Sequence, residues 1–119
     1  MHPVGPVDEE VVMHAVMIRF TSSVPPTDLL QPFRDYAEAL RDVRGLTAKT
    51  WILDGADLGG FHVFVDQQAA EAYLDGPLFG SVRDNPAFSG FRVEHFAVLD
   101  ELSATTNGVG TGSAHLAER

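Results

Sequence analysis

The chain has 119 residues, 45% of them hydrophobic and 21% charged, the composition of one ordinary globular domain. Its net charge of −9 argues against nucleic acid and anionic membranes as partners, since both demand a basic surface. The absence of cysteine excludes disulfides, thiolate nucleophiles and cysteine-ligated metal centres.

Residues 1–10, with Pro3, Pro6, Asp8, Glu9 and Glu10, read as a flexible leader. They lack the basic start and apolar middle of a signal peptide, and no apolar run approaches the roughly 18 residues of a membrane span. The expectation is a soluble, cytoplasmic protein. Val11 to Phe20 is a β-type run, ended by the turn at Thr21 to Pro26. A helix follows, starting between Asp28 and Pro32. Its apolar stripe is Leu29, Leu30, Phe33, Tyr36, Ala37 and Leu40, and Gly45 stands just past its end.

Leu46 to Asp54 is a second strand, the stretch Asp54 to Gly60 a hairpin loop, and Phe61 to Val65 a third strand. Asp66 caps a second helix over Gln67 to Leu74, which Gly76-Pro77 breaks. Leu78 to Arg83 forms a further short turn of helix. Phe91 to Leu99 is the last strand. The folded domain spans residues 11–102. The Ser/Thr/Gly/Ala-rich stretch 103–119 reads as a loose tail.

The order β-α-β-β-α-β predicts an α+β, ferredoxin-like fold, a four-stranded antiparallel sheet with its helices on one face. Strand one carries apolar residues on both sides: Val12, Val16, Ile18 and Phe20 alternate with Val11, Met13, Ala15 and Met17. Helices cover one sheet face. An identical sheet from a second subunit is the simplest cover for the other, which predicts a homodimer.

Three segments carry a family resemblance. They are Gly45 to Trp51, Gly59 to Asp66 and Ala69 to Leu74, and the close Phe96 to Ser103 extends it. In order and spacing they resemble the YdhR-like monooxygenase family over about residues 13 to 105. The resemblance implies a dimeric α+β barrel. It also implies kinship with small cofactor-free oxygenases of polyketide-like aromatics and with antibiotic-biosynthesis monooxygenases. It brings no family-wide catalytic set with it.

No phosphate-binding, nucleotide-binding, serine-hydrolase or zinc-protease motif is present, and no metal-ligand spacing stands out. The candidates are therefore single side chains. His14, His62 and His95 lie within predicted strands, and imidazole exchanges protons near neutral pH. The plainer reading of each is a hydrogen-bonded core or interface histidine. Trp51, Phe33, Tyr36, Phe64, Tyr73, Phe79 and Phe88 would wall an apolar cavity or simply pack the core. Lys49 and Arg19 would orient an anionic oxygen or sit as solvated charges.

The reading that uses these parts most fully is a cofactor-independent monooxygenase for a small aromatic or polyketide-like substrate. His62 is its base, and Trp51 and Tyr36 are the groups that orient the substrate. Phe33, Phe64, Tyr73, Phe79 and His95 form the substrate-binding wall, with no metal and no cofactor. The alternatives are a cofactor-free cyclase, isomerase or dehydratase, and a non-catalytic small-molecule-binding dimer. A fourth is haem held through a strand histidine.

Overall fold

The computed structural model describes residues 12–109. The leader at 1–10 and the end of the tail at 110–119 lie outside the described residues. The chain forms β1 (His14–Ser22), a 3-10 turn (Pro26–Leu29) and α1 (Leu30–Leu40). It continues through β2 (Leu46–Asp54), β3 (Asp57–Phe64), α2 (Gln67–Asp75) and α3 (Pro77–Arg83). It closes with β4 (Phe88–Ala97) and α4 (Asp100–Thr105).

The strands form one sheet in the order β2-β3-β1-β4, with every neighbouring pair antiparallel. This is the ferredoxin-like arrangement expected from the element order. Local chemistry accounts for the helix ends. Pro32 is the third residue of α1, a position whose N–H has no helical acceptor in any case. Asp66 caps α2 by accepting a 2.8 Å hydrogen bond from the Ala69 backbone N–H.

The ends of β1 and β4 shift by two or three residues from the expected 11–20 and 91–99, and two other boundaries also differ from the sequence expectation. β3 begins at Asp57, not Phe61, so the hairpin loop shrinks to the two residues Gly55 and Ala56. Gly55 takes the positive φ, +63°, that such a turn demands. Gly59 and Gly60 are thus strand residues. Glycine usually signals a turn, but here it marks close approach by neighbouring groups. A Cβ on Gly59 would lie 1.9 Å from the Ile18 carbonyl oxygen, and one on Gly60 would lie 2.5 Å from Lys49 Cε. The second difference is α4, which carries regular structure past Leu102 as far as Thr105. Asp100 at its start accepts a long hydrogen bond, 3.4 Å, from the Met13 N–H.

The helices pack on the face that carries Val16, Ile18, Phe20, Leu58, His62 and Phe64, and these residues are buried there. The opposite face is divided. Around Ala15, Met17, Phe61, Val63 and Phe96 it is apolar, with Phe61 36% and Phe96 46% exposed. Further along it is charged, and Arg19 pairs there with Asp57 at 3.4 Å. The two-sided apolar pattern of β1 therefore holds for one half of the outer face, and an ion pair occupies the other.

Candidate active site

Between sheet and helices lies a cavity of about 220 Å³, walled almost wholly by apolar side chains. It exists because α1 stands off from the sheet: its ring-bearing residues reach the cavity while its backbone makes little contact with the strands. Phe33 and Tyr36 come from α1, Tyr73 from α2, Phe79 from α3, Trp51 from β2 and His62 from β3. A cavity of about 150 Å³ holds a benzene ring, so this one suits one or two fused rings.

The aromatic wall is continuous. Trp51 lies 5.2 Å from Phe33 and 6.3 Å, edge-on, from Tyr36, ring centre to ring centre. His62 lies 5.7 Å from Tyr73, which in turn lies 5.6 Å from Phe79. The hydroxyls of Tyr36 and Tyr73 share a 2.6 Å hydrogen bond. Burial raises the pKa of both, so both remain protonated. One hydroxyl donates to the other, and the acceptor's own hydrogen stays available to a ligand.

His62 is 1% exposed. Its Nδ1 stands 3.2 Å from the Val16 carbonyl oxygen, which can only accept, so Nδ1 carries the hydrogen in the neutral ring. Nε2 then holds a lone pair and is buried with no hydrogen-bond partner among the described residues. Burial, and secondarily the charge of Lys49, lower the imidazole pKa to about 4, against weak opposing contributions from the backbone at Val16 and Gly60. The ring is neutral at physiological pH.

Lys49 is the direct cross-strand partner of His62. Its Nζ lies 3.6 Å from the centre of the Trp51 ring and 5.3 Å from that of Tyr36. Burial lowers its pKa to about 7. The stem of Lys49 passes over Gly60, through space that a Cβ there would fill.

Of the residues singled out in the sequence, His62, Trp51, Tyr36, Phe33, Tyr73 and Phe79 all line this cavity. Phe64 does not. It is fully buried as the next residue on the same face of β3, its ring parallel to that of His62 at 6.3 Å. His95 does not either. It lies on the exposed edge strand β4, where Nδ1 meets His14 Nε2 at 2.8 Å, outside the cavity wall. Burial first, and then His95, lower the His14 pKa, with Glu71 acting in the opposite direction. Arg19 points to the outer face and its ion pair, away from the cavity. Lys49 is the residue whose weight the sequence understated. The signal available for it was Gly60, diagonally across on β3, which reads as turn chemistry until the strand register is known. Among the described residues no group of three His, Cys, Asp or Glu side chains converges. No helix there is long and apolar enough to cross a membrane.

The sheet order and the one-sided helices define a ferredoxin-like α+β protein with a cavity between its layers. The chain belongs to the family described as "Putative mono-oxygenase ydhR", whose model matches residues 16–109. That membership places it among monooxygenase-like proteins. No curated protein matches the sequence. Solved structures share the fold at low identity. A protein of unknown function from Nitrosomonas europaea, NE2512, is 23% identical, with a TM-score of 0.58 over 75% of this chain and 91% of that one. SnoaB, a cofactor-independent oxygenase from Streptomyces nogalater, is 18% identical, with a TM-score of 0.61 over 73% and 93%. A dabb family protein with a ferredoxin-like fold from Mesorhizobium loti is 23% identical, with a TM-score of 0.58 over 74% and 98%.

Proposed function

We propose that the protein is a cofactor-independent monooxygenase for a small aromatic or polyketide-like substrate bound in the cavity between sheet and helices. The observation that carries this reading is the buried, neutral imidazole of His62, a ring that lines an apolar cavity and whose Nε2 has no hydrogen-bond partner among the described residues. Family membership and the cofactor-independent oxygenase of the same fold support it.

The chemistry asks little of the protein. At a substrate CH₂ beside an aromatic carbonyl, Nε2 takes one proton and leaves an electron-rich enolate. The enolate gives one electron to O₂. The resulting pair recombines through a new C–O bond, and His62 returns its proton to the outer peroxide oxygen. Removal of the second C–H proton breaks the O–O bond and leaves a carbonyl and water. The four electrons lost by carbon are the four that reduce O₂, so no outside reductant enters. The apolar walls offer the carbanion few proton donors, while Trp51 and the Tyr36–Tyr73 pair orient the ring.

An oxygen electrode with an enolisable polycyclic ketone tests this reading. One O₂ consumed per ketone oxidised is the expected result. Conversion of substrate without O₂ uptake would instead establish a cyclase, isomerase or dehydratase.

The functional unit in this reading is a homodimer. The exposed apolar half of the outer sheet face, with Met17, Phe61 and Phe96, supports it as the seat of a second subunit. The buried area should exceed the roughly 1,200 Å² low end of specific interfaces. Sedimentation at micromolar concentration should show a dimer, and a stable monomer there overturns this part of the reading.

A further inference from the structure

We infer that the cavity takes its substrate as an oxyanion, the ionised oxygen of a phenol or enol, held by the side chain of Lys49 in the space that Gly60 leaves open. The inference rests on the reading of the cavity as the substrate site and adds to it the ionic form of the substrate and the residue that selects it.

A lysine inside an apolar cavity is costly unless something compensates its charge. No carboxylate pairs with Lys49 among the described residues; the groups facing it are His62 from β3, Tyr36 from α1 and Trp51 from its own strand. All three are neutral. The face of Trp51 offers partial compensation, but an indole ring supplies no full negative charge. The chain also makes room for this side chain at a definite place. Gly60 is paired with Trp51 in the neighbouring strand, and any larger residue there would collide with Lys49 Cε at 2.5 Å. A flat aromatic anion satisfies both walls at once, its ring against Phe33 and Trp51 and its oxygen against the ammonium. The depressed pKa of Lys49 fits this role: the empty site holds a readily lost proton, and a bound anion restores it. Carbonyl oxygen that gains charge as His62 removes a proton would meet the same ammonium.

The test uses p-nitrophenol, a small phenol that is coloured only when ionised and whose hydroxyl ionises near neutral pH. Mixed with the full-length protein at about pH 6, it should turn yellow on binding, as its apparent pKa falls by about one unit or more. Trp51 is the single tryptophan of the chain, so its fluorescence follows the same titration. Affinity should peak near neutral pH, since the complex holds one proton between phenol and lysine. Lys49→Met should weaken phenolate binding by about 10- to 100-fold, the range for a charge-assisted hydrogen bond, and abolish the colour change. Gly60→Ala, which pushes against the flexible end of Lys49, should reduce both effects while the fold persists. Binding of the colourless form, no binding at all, or unchanged affinity in both variants overturns the inference. Phenolate binding with no O₂ uptake on any enolisable ketone would sink the oxygenase reading and leave this one standing.

Discussion

Replacing His62 by alanine is expected to lower turnover of an oxidisable substrate by about 10²- to 10⁴-fold, the usual contribution of a positioned proton acceptor. The dimer should persist, because His62 lies on the helix side of the sheet and the proposed interface on the other. His62→Phe should be equally inactive and should separate catalysis from stability through pH. The folded-state pKa of His62, about 4, lies below its ordinary value of 6.5. Protons therefore bind the unfolded chain more readily, and the stability tied to the neutral ring is complete above pH 6.5. It is lost as pH falls from 6.5 towards 4, by about 3 kcal/mol across the window. Phenylalanine cannot charge, so His62→Phe should flatten that part of the stability profile in urea melts between these pH values. Full turnover in either variant would remove His62 from the mechanism. An unchanged acid slope in His62→Phe would show that the imidazole is not buried neutral in solution.

Gly59→Ala is expected to be the most destabilising single-methyl change in the sheet, at about 3–5 kcal/mol, a large share of the 5–15 kcal/mol that holds a typical domain. The added Cβ would sit 1.9 Å from the Ile18 carbonyl oxygen and 2.9 Å from its carbonyl carbon. Those atoms are backbone of β1, the central partner of β3, and cannot rotate away as a side chain would. Relief requires moving one central strand against another, which strains the ladder on both sides. Gly60→Ala is the control on the adjacent residue. Its closest clash is with the flexible end of Lys49, so its cost should stay near 1 kcal/mol. Urea denaturation of the two variants beside the parent measures the contrast. Equal midpoints for Gly59→Ala and the parent would mean that the two strands are not packed as closely as the register requires.

Much of this molecule is legible in its sequence. The β-α-β-β-α-β order follows from period and punctuation: alternating apolar runs for the strands, a helical stripe from Leu29 to Leu40, Asp66 as a cap and Gly76-Pro77 as a break. The two-sided apolar character of β1 is legible too, but only one half of the outer face is apolar, an Arg19–Asp57 ion pair taking the other. The aromatic residues of the cavity wall were also foreseen, because large rings on one sheet face and one helix stripe must meet wherever those surfaces are stacked.

Three matters required the tertiary structure. Gly59 and Gly60 look like a turn in one dimension, because glycine's freedom at a turn and its lack of a side chain at a close contact leave the same letter. Only the pairing of β3 with β1 and β2 tells the two apart. That Phe64 and His95 stay out of the cavity wall likewise depends on packing and on strand order, which alternation does not encode. Phe64 shares a face with His62 yet is fully buried outside the cavity wall, and His95 sits on an edge strand. Lys49 is the clearest case. On its strand it is one charge beside an aromatic, and most such charges are solvated. Register sets it opposite His62, and the missing side chain of Gly60 lets it pass inward. A charge becomes chemically unusual only when its surroundings withhold water, and those surroundings come from α1, β2 and β3 together.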